Sequence, residues 1–246
     1  MTTTQRERPS GRVAAQRGGA RPPRRRVLAR RWVVVLVMLV VTALVYLLLF
    51  TPVLGVRSVE VSGNKLVATK DIVAAAAIPD GTPMFRVDTD AARDRVARLP
   101  RVASVDVSRS WPATVRITIT ERIPVALVKA ADGYHEIDGT GVDFAVIPKA
   151  VAGIPALVVA HAAPDDAPTV AAVAVLTHIP KQLLKRIKTI TPHTPGDVQL
   201  ALKDGKTVKW GNADQSERKA AVLAALLTRP GKVYNVAAPD APAVSD

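Results

Sequence analysis

Hydrophobic and polar positions alternate with period two in several short runs of the chain, and this period is typical of half-buried β-strands. In one of these runs the apolar residues Val115, Ile117 and Ile119 are separated by Arg116, Thr118 and Thr120. Helical spacing of apolar residues appears instead in two runs that follow the first strand. The pattern between 56 and 122 therefore predicts the order strand, helix, helix, strand, strand, with segments at 56–62, 69–78, 88–99, 102–111 and 114–122.

Pro124 marks a boundary after these elements, because proline lacks a backbone N–H and is confined to the start or the edge of a sheet. Beyond it the pattern predicts a second, β-rich region with two helices. Asp214 and Glu217 suit the start of the second of these helices. The predicted strands are 124–130, 133–146 as a hairpin, 154–159, 183–191, 197–211 as a second hairpin, and 232–236. The fold class predicted from these elements is α+β.

Residues 32–50 form a run of 19 residues without a charge, which as a helix spans about 28 Å and matches a hydrocarbon core. Ten arginines and one glutamate precede this run. By the positive-inside rule, we expect residues 1–31 to be a disordered cytoplasmic tail and everything after residue 50 to lie outside the cytoplasm. A cleaved signal peptide is the alternative, but its apolar region is shorter and the following residues contain no A-x-A site.

The net charge of +13 would suit a nucleic-acid-binding protein if it were spread over the folded region. The arginine-rich tail carries +9 of this charge, so only +4 remains for the other 215 residues. We therefore predict no nucleic-acid partner, and the tail's charge is accounted for by membrane orientation. The chain has no cysteine, which excludes disulfides and thiolate metal sites.

No catalytic or metal-binding motif is visible in the sequence. The four histidines, at 135, 161, 178 and 193, lack any metal-ligand spacing. Asp132, Asp138 and Asp143 surround a predicted hairpin and are interpreted as turn residues because no proton-transfer partner is evident. We predict a protein that is not an enzyme and has no cofactor or metal.

The strand 232–236 is the predicted binding site. It precedes a proline-containing tail that we do not expect to pair, so it would lie at a sheet edge and accept a strand from another chain. Four or five hydrogen bonds would supply about 4 to 5 kcal/mol, less than the roughly 8 kcal/mol of micromolar affinity. Tyr234 is either an interface anchor or a core tyrosine. The predicted strand-addition residues are Lys232, Val233, Tyr234, Asn235 and Val236, and the candidate charged contacts are Lys185, Arg186 and Lys188.

The predicted βααββ order, combined with a Trp-Pro turn at Trp111 and the string Glu-Arg-x-Pro-Val-Ala from Glu121, resembles the FtsQ/DivIB family of bacterial division proteins. The resemblance implies a transmembrane helix at 32–50, a POTRA domain at 51–122, a β domain at 123–236 and a flexible tail at 237–246. Gly211 and Lys219 match a glycine and a helix-borne lysine of the family, while Asn235 stands where aspartate is usual.

The resemblance also implies a function. A single-pass plasma-membrane protein at the division septum would dock FtsB-like and FtsL-like proteins and connect them to FtsW-like and FtsI-like septal peptidoglycan synthases. Two alternatives belong to other classes. A membrane-anchored POTRA chaperone for export would be favoured by tandem βααββ repeats, and an anchored cell-wall enzyme would need a convergent nucleophile, base or metal set.

Overall fold

The computed structural model describes residues 24–50 and 55–246 of the 246-residue chain, with side chains in the first segment described for 30–46. The chain divides into two compact units at residue 53. The first contains one helix, α1 (Arg24–Phe50). Residues 24–31 are therefore helical rather than part of a disordered tail, and the prediction for 1–23 lies outside the described residues. Across the parts of the chain that the structure describes, no helix combines the length and the apolar content needed to traverse a membrane.

The second unit begins with a small domain in the predicted βααββ order. Its three-stranded sheet has β3 in the centre, parallel to β1 and antiparallel to β2. The Trp111–Pro112 peptide bond, in the turn between β2 and β3, is cis. The elements are β1 (Ser58–Ser62), α2 (Thr69–Ala76), a 3₁₀ turn (Met84–Arg86), α3 (Thr89–Val96), β2 (Val102–Ser110) and β3 (Thr114–Glu121).

The period-two pattern of β3 has the predicted effect, because Val115, Ile117 and Ile119 are all buried against the two helices. Asp88 begins α3 by accepting a hydrogen bond from the backbone N–H of Ala91 (2.9 Å), which satisfies one unpaired donor of the first turn. One face of the sheet thus carries both helices and the core of this domain.

The larger domain contains a nine-stranded sheet in the order β12-β11-β10-β9-β8-β7-β4-β5-β6. Three helices accompany it, and Trp210, Leu176 and Leu223 lie in the core between sheet and helices. Its elements are β4 (Pro124–Ala130), β5 (Gly133–Asp138), β6 (Asp143–Ile147), β7 (Ala156–Leu157), α4 (Ala167–His178), α5 (Lys181–Leu184), β8 (Ile187–Thr194), β9 (Asp197–Leu202), β10 (Thr207–Gly211), α6 (Ser216–Leu226), β11 (Val233–Asn235) and β12 (Ala243–Ser245).

Two arginines of the small domain join it to the large one by ion pairs. The guanidinium of Arg101 lies 3.0 Å from the carboxylate of Glu136, in a geometry that is coulombic rather than a hydrogen bond, and Arg122 pairs with Asp138. Arg101 also lies 5.6 Å from the centre of the Phe144 ring. Since Glu136 and Asp138 are both buried, each depends on its arginine to offset the loss of hydration, and these pairs fix the junction between the domains.

The carboxylate of Asp138 is stabilised from several sides. Burial would raise its pKa, but hydrogen bonds from the Thr140 side chain, from Arg122 and from the backbone N–H groups of Thr140 and Val142 lower the pKa below its ordinary value. Asp138 is therefore ionised throughout the neutral range, as its pairing with Arg122 requires.

Glu121, the last residue of β3, holds the loop between β1 and α2. Its Oε1 accepts the backbone N–H groups of Lys65 (2.7 Å), Leu66 (2.8 Å) and Val67 (2.8 Å). Partial burial acts to raise the pKa of Glu121, but these three donors, together with the charge of Arg101, lower it below its ordinary value. The end of the last strand thus fixes the loop that follows the first.

We expect Glu121→Gln to destabilise the small domain by about 1 kcal/mol at neutral pH, because it removes the charge from three hydrogen bonds. Since the folded-state pKa of Glu121 is lowered, its contribution is complete above the unfolded value of 4.5 and disappears as pH falls through the folded value. The variant should therefore lose less stability in acid than the parent. Urea unfolding at several pH values measures both effects. Glu60→Gln, which alters an exposed ion pair with Arg116 on the same sheet, is the control, and equal losses in the two variants would contradict the role assigned to Glu121.

Candidate functional site

The candidate binding strand has a neighbour that the sequence did not reveal. β12 pairs antiparallel with β11, placing Val233 opposite Ser245, Tyr234 opposite Val244 and Asn235 opposite Ala243. The prediction that residues 232–236 form the sheet edge, and that the tail 237–246 does not pair, is wrong. Within the described residues, β12 is the terminal strand of the sheet, so the open backbone edge belongs to residues 243–245.

Tyr234 is part of the core. Its side chain is fully buried, and its hydroxyl shares its single proton between the backbone carbonyls of Arg229 (2.8 Å) and Gly231 (3.0 Å). The ammonium group of Lys206 lies 5.5 Å from the centre of the ring. Of the two interpretations of this residue, the structure thus matches the core tyrosine. Val236 is buried as well, whereas Lys232 and Asn235 are exposed.

Close packing keeps β12 in place on β11. A Cβ atom at Gly231 would lie 2.4 Å from Cγ1 of Val244, and the residue has a φ of +154°, so only glycine fits here without a shift. Val244 in turn packs against the core of the large domain. The backbone N–H of Lys232 donates to the carbonyl of Ser245 (3.0 Å), which extends the pairing beyond the strand.

The loop between β11 and β12 is held at both ends. The side-chain oxygen of Asn235 accepts the backbone N–H of Ala237 (3.1 Å), a contact that the usual aspartate could also make. Further along, Asp240 pairs with Arg218 of α6. These contacts fix the conformation of the loop after β11 and direct the chain back along the sheet.

A basic surface lies at the end of β8, β9 and β10 that adjoins the start of β11. The exposed residues Lys185 and Arg186 precede β8, and Lys203 meets them because its backbone N–H donates to the carbonyl of Arg186 (2.9 Å). Lys206 belongs to the same turn. Asp204 offsets part of the charge through pairs with Arg186 (3.3 Å) and Lys206 (3.7 Å). Lys185 and Arg186 were selected from the sequence, but Lys203 and Lys206 were missed, although both of these lie within the hairpin predicted at 197–211.

Lys188, the third predicted cation, is exposed on β8. The neighbouring Ile187 is buried, so alternation along the strand directs Lys188 to the face opposite the core. The other basic residues and Lys232 lie at one end of the sheet, in a row that runs from the turn before β8 to the start of β11. The three segments that carry them are the turn before β8, the β9–β10 turn and the start of β11, and the end of β12 lies beside the last of these.

Gly211 and Lys219 stabilise the turn between β10 and α6, which lies beside the loop between β11 and β12. Gly211 has a φ of +76°, and a Cβ atom there would lie 3.0 Å from the Cβ of Ala237 at the start of the β11–β12 loop. The ammonium group of Lys219 is buried and donates to the backbone carbonyl (3.0 Å) and the side-chain oxygen (2.9 Å) of Asn212. Burial lowers the pKa of Lys219, while Asp214 acts to raise it. Both residues shape the β10–α6 turn, on which the terminal strands pack.

The structure supplies a partner for two of the aspartates that the sequence had assigned to turns. His135 lies between Asp132, 2.9 Å from Nε2, and Asp143, 2.5 Å from Nδ1. The hydrogen bonds to these carboxylates raise the pKa of His135, so the imidazolium form ties together the β5–β6 hairpin at the far edge of the sheet. Both ring nitrogens are thereby used by carboxylates. Among the residues whose positions are described, no group of three or more potential ligands could hold a metal ion.

We expect the stability that His135 contributes to decrease as pH rises. Its folded-state pKa is raised, so the contribution is complete below the unfolded value of 6.5 and is lost as pH rises through the folded value. Replacing His135 with glutamine, which keeps a hydrogen-bonding side chain without the charge, should remove this dependence. Chemical unfolding across the neutral range measures it, with His193→Gln on β8 as control. A pH profile that is unchanged in His135→Gln would show that the two ion pairs do not contribute.

Family models account for both domains of the second unit. The model described as "POTRA domain, FtsQ-type" matches residues 54–122, and the model described as "Cell division protein FtsQ/DivIB, C-terminal" matches residues 126–238. The first match ends at residue 122 and the second begins at residue 126, on either side of Pro124.

Relatives described as "Cell division protein FtsQ" are similar over most of the chain. The protein from Mycobacteroides abscessus is 45% identical over 198 residues, which cover 80% of this chain and 64% of that protein. The one from Mycolicibacterium smegmatis is 42% identical over 202 residues, or 82% and 60% of the two chains, so this chain matches somewhat less than two thirds of these relatives. The one from Streptomyces bingchenggensis is 38% identical over 214 residues, covering 83% of this chain and 81% of its own. The chain belongs to the FtsQ/DivIB family of cell division proteins.

Proposed function

We propose that this protein is a non-catalytic scaffold of the bacterial division machinery and that the edge of β12 is its docking site for an FtsB-like partner. Membership of the FtsQ/DivIB family supports the division role. The observation that carries the docking site is the position of β12, which the described residues leave without a neighbour on its outer side. An edge strand presents backbone donors and acceptors that a strand from another chain can pair with.

Backbone pairing alone is too weak for a stable complex. The three residues of β12 allow about three hydrogen bonds, worth about 3 kcal/mol in total, whereas micromolar affinity requires about 8 kcal/mol. The basic surface beside the edge offers the additional contact. Lys185, Arg186 and Lys203 would attract an acidic segment flanking the added strand, which raises the association rate and selects the partner.

A shared membrane would supply the remaining stabilisation. We propose that residues 32–50 anchor the chain in the plasma membrane, with the N-terminus in the cytoplasm. The charge-free sequence continues beyond the side chains described for α1, and the large apolar side chains from Trp32 to Tyr46 are exposed. Partners anchored in the same bilayer meet at a raised effective concentration, so modest contacts suffice. FtsB-like and FtsL-like proteins would be held in this way and connected to FtsW-like and FtsI-like septal synthases.

The contacts of His135 support a role in binding rather than in catalysis. His135 has both ring nitrogens occupied by carboxylates, and its hydrogen bonds include no hydroxyl that it could activate as a nucleophile. The export alternative would be favoured by repeated POTRA domains, whereas the described part of the chain contains one βααββ unit.

We predict that deleting residues 241–246, and with them β12, reduces the affinity for an FtsB-like partner at least about tenfold, a loss of about 1.4 kcal/mol. The deletion removes the strand on which the partner's strand would add. Binding of the purified full-length chain to the partner's extracytoplasmic segment, measured in detergent by calorimetry, gives the affinity.

Two outcomes of this deletion have distinct meanings. Increased affinity would assign docking to β11 and residues 232–236, with β12 as an occupant that the partner displaces. Unchanged affinity would show that the partner binds elsewhere. Asp240→Asn, which weakens the pair with Arg218 but retains β12, is the control for general loosening of the loop.

The anchor leads to a second expectation, concerning topology. Protease added to intact spheroplasts should digest residues 55–246 while a cytoplasmic marker protein stays intact. Val40→Arg, in the middle of the charge-free run, should shift the protein out of the membrane fraction because a central arginine costs about 3 kcal/mol of insertion free energy. Val40→Leu is the matched control. Protection of residues 55–246 from the external protease would contradict the proposed orientation.

A further inference from the structure

Two aromatic side chains lie together on the surface of the small domain. The ring centres of Phe85 and Trp111 are 4.8 Å apart, with the planes inclined at 51°, and each side chain is 51% exposed. Phe85 belongs to the 3₁₀ turn and Trp111 to the turn between β2 and β3. Exposed aromatic pairs are costly to leave in water, and on soluble domains contiguous apolar surface commonly marks a contact site.

The aromatic pair borders a shallow cavity of about 470 Å³. Arg109 forms part of its wall and is held there because its guanidinium donates to the backbone carbonyl of Val87 (2.7 Å). Thr89, Val107 and Ser108 complete the lining together with the rings. The lining beside the pair is therefore held in place by a hydrogen bond, and neither ring belongs to the buried core of the small domain.

The chain enters the small domain between the two segments that carry these rings. Gly55 forms a β-bridge with Pro83, and the backbone N–H of Val56 donates to the carbonyl of Thr82 (2.9 Å), just before the turn with Phe85. The backbone N–H of Arg57 donates to the carbonyl of Ala113 (2.8 Å), just after Trp111. The aromatic pair thus marks the end of the domain at which the chain arrives.

Covalent length limits how far this end can lie from a membrane anchor. Gly55 follows the last residue of the charge-free run by five positions, and an extended chain covers at most about 3.5 Å per residue, or about 18 Å here. If residues 32–50 are the anchor, covalent length alone therefore keeps this end of the domain within about 18 Å of the end of the charge-free run. Tryptophan concentrates in that region because its ring is apolar and its N–H is polar.

The charges near the pair are nearly balanced. Arg57, Arg86 and Arg109 are offset by Asp80 and Asp88 in the segments that surround the rings. Coulombic attraction to anionic lipid is therefore a minor contribution, and partition of the rings into the interface is the larger one. Contact with a bilayer should consequently depend only weakly on salt concentration.

We propose that Phe85 and Trp111 form a membrane-surface contact, inserting into the headgroup region of the outer face of the bilayer beside the chain's own anchor. The inference rests on the proposed anchoring by residues 32–50. The contact would hold the small domain at a fixed inclination to the membrane, and through the ion pairs of Arg101 and Arg122 it would also orient the large domain.

Tryptophan fluorescence of the full-length chain in lipid vesicles tests the proposal. In a Trp32→Phe background the remaining tryptophans are Trp111 and Trp210, and Trp210 is fully buried. Vesicles of phosphatidylcholine and phosphatidylglycerol, with bromine on acyl carbons near the headgroup, should quench Trp111 alone and remove about half of the emission. Adding Trp111→Phe should abolish the quenching.

Two substitutions on the small domain distinguish the aromatic pair from general proximity to the vesicle. Phe85→Ser should reduce the quenching of Trp111 at least about twofold, since the neighbouring ring no longer supports insertion. Leu66→Ser removes another exposed apolar side chain of the same domain, 73% exposed, and should leave the quenching unchanged. Circular dichroism confirms that each variant is folded.

Flotation of the vesicles after alkaline extraction separates failure of this contact from failure of the anchor. A chain that floats with the vesicles but shows unquenched Trp111 overturns the membrane contact and leaves the anchor intact. A chain that does not float overturns both. Trp111 emission that responds to an FtsB-like protein and not to brominated lipid would assign the pair to protein docking and also overturn the proposal.

Discussion

Backbone pairing at the end of a sheet is the constraint on which the architecture of the large domain depends. Each strand must satisfy its N–H and C=O groups, and a nine-stranded open sheet has two rows of such groups at its edges. At one edge the chain turns back after β11 and adds the short strand β12, which transfers the open row from the segment with the buried Tyr234 to residues 243–245, of which Ala243 and Ser245 are exposed. The proposed docking surface lies on β12 because of this turn.

The sequence predicted what depends on local periodicity. The strands and helices of the small domain each rest on residues close together in the chain, and the structure has them in the predicted order. β12 could not be predicted in this way, because three residues after two prolines carry too little pattern. Its position depends on contacts with Gly231 and Arg218. The start of α6 also differs, since it follows Gln215 in a left-handed conformation and lacks the side-chain cap that Asp214 suggested.

The candidate site shows the same division between local and distant effects. The sequence alone was enough to select Lys185, Arg186 and Lys188 as candidate surface cations. Lys203 comes close to Lys185 and Arg186 only when β8 and β9 pair. Likewise, the contact of His135 with Asp143 arises from the pairing of β5 with β6, whereas Asp132 lies only three residues before His135 in the chain. Tyr234 was ambiguous because an aromatic residue on a terminal strand suits a core and an interface equally well.

The parallel pairing of β1 with β3 has a consequence for synthesis. The first strand of the small domain finds its partner only when residues 114–118 are available, and the loop after it gains three of its hydrogen bonds only from Glu121. While the ribosome is still adding these residues, the earlier part of the domain has no stable arrangement of its own. The domain therefore acquires its structure in one late event, once nearly all of its residues have emerged, and a nascent chain stalled before that point stays open to chaperones and proteases.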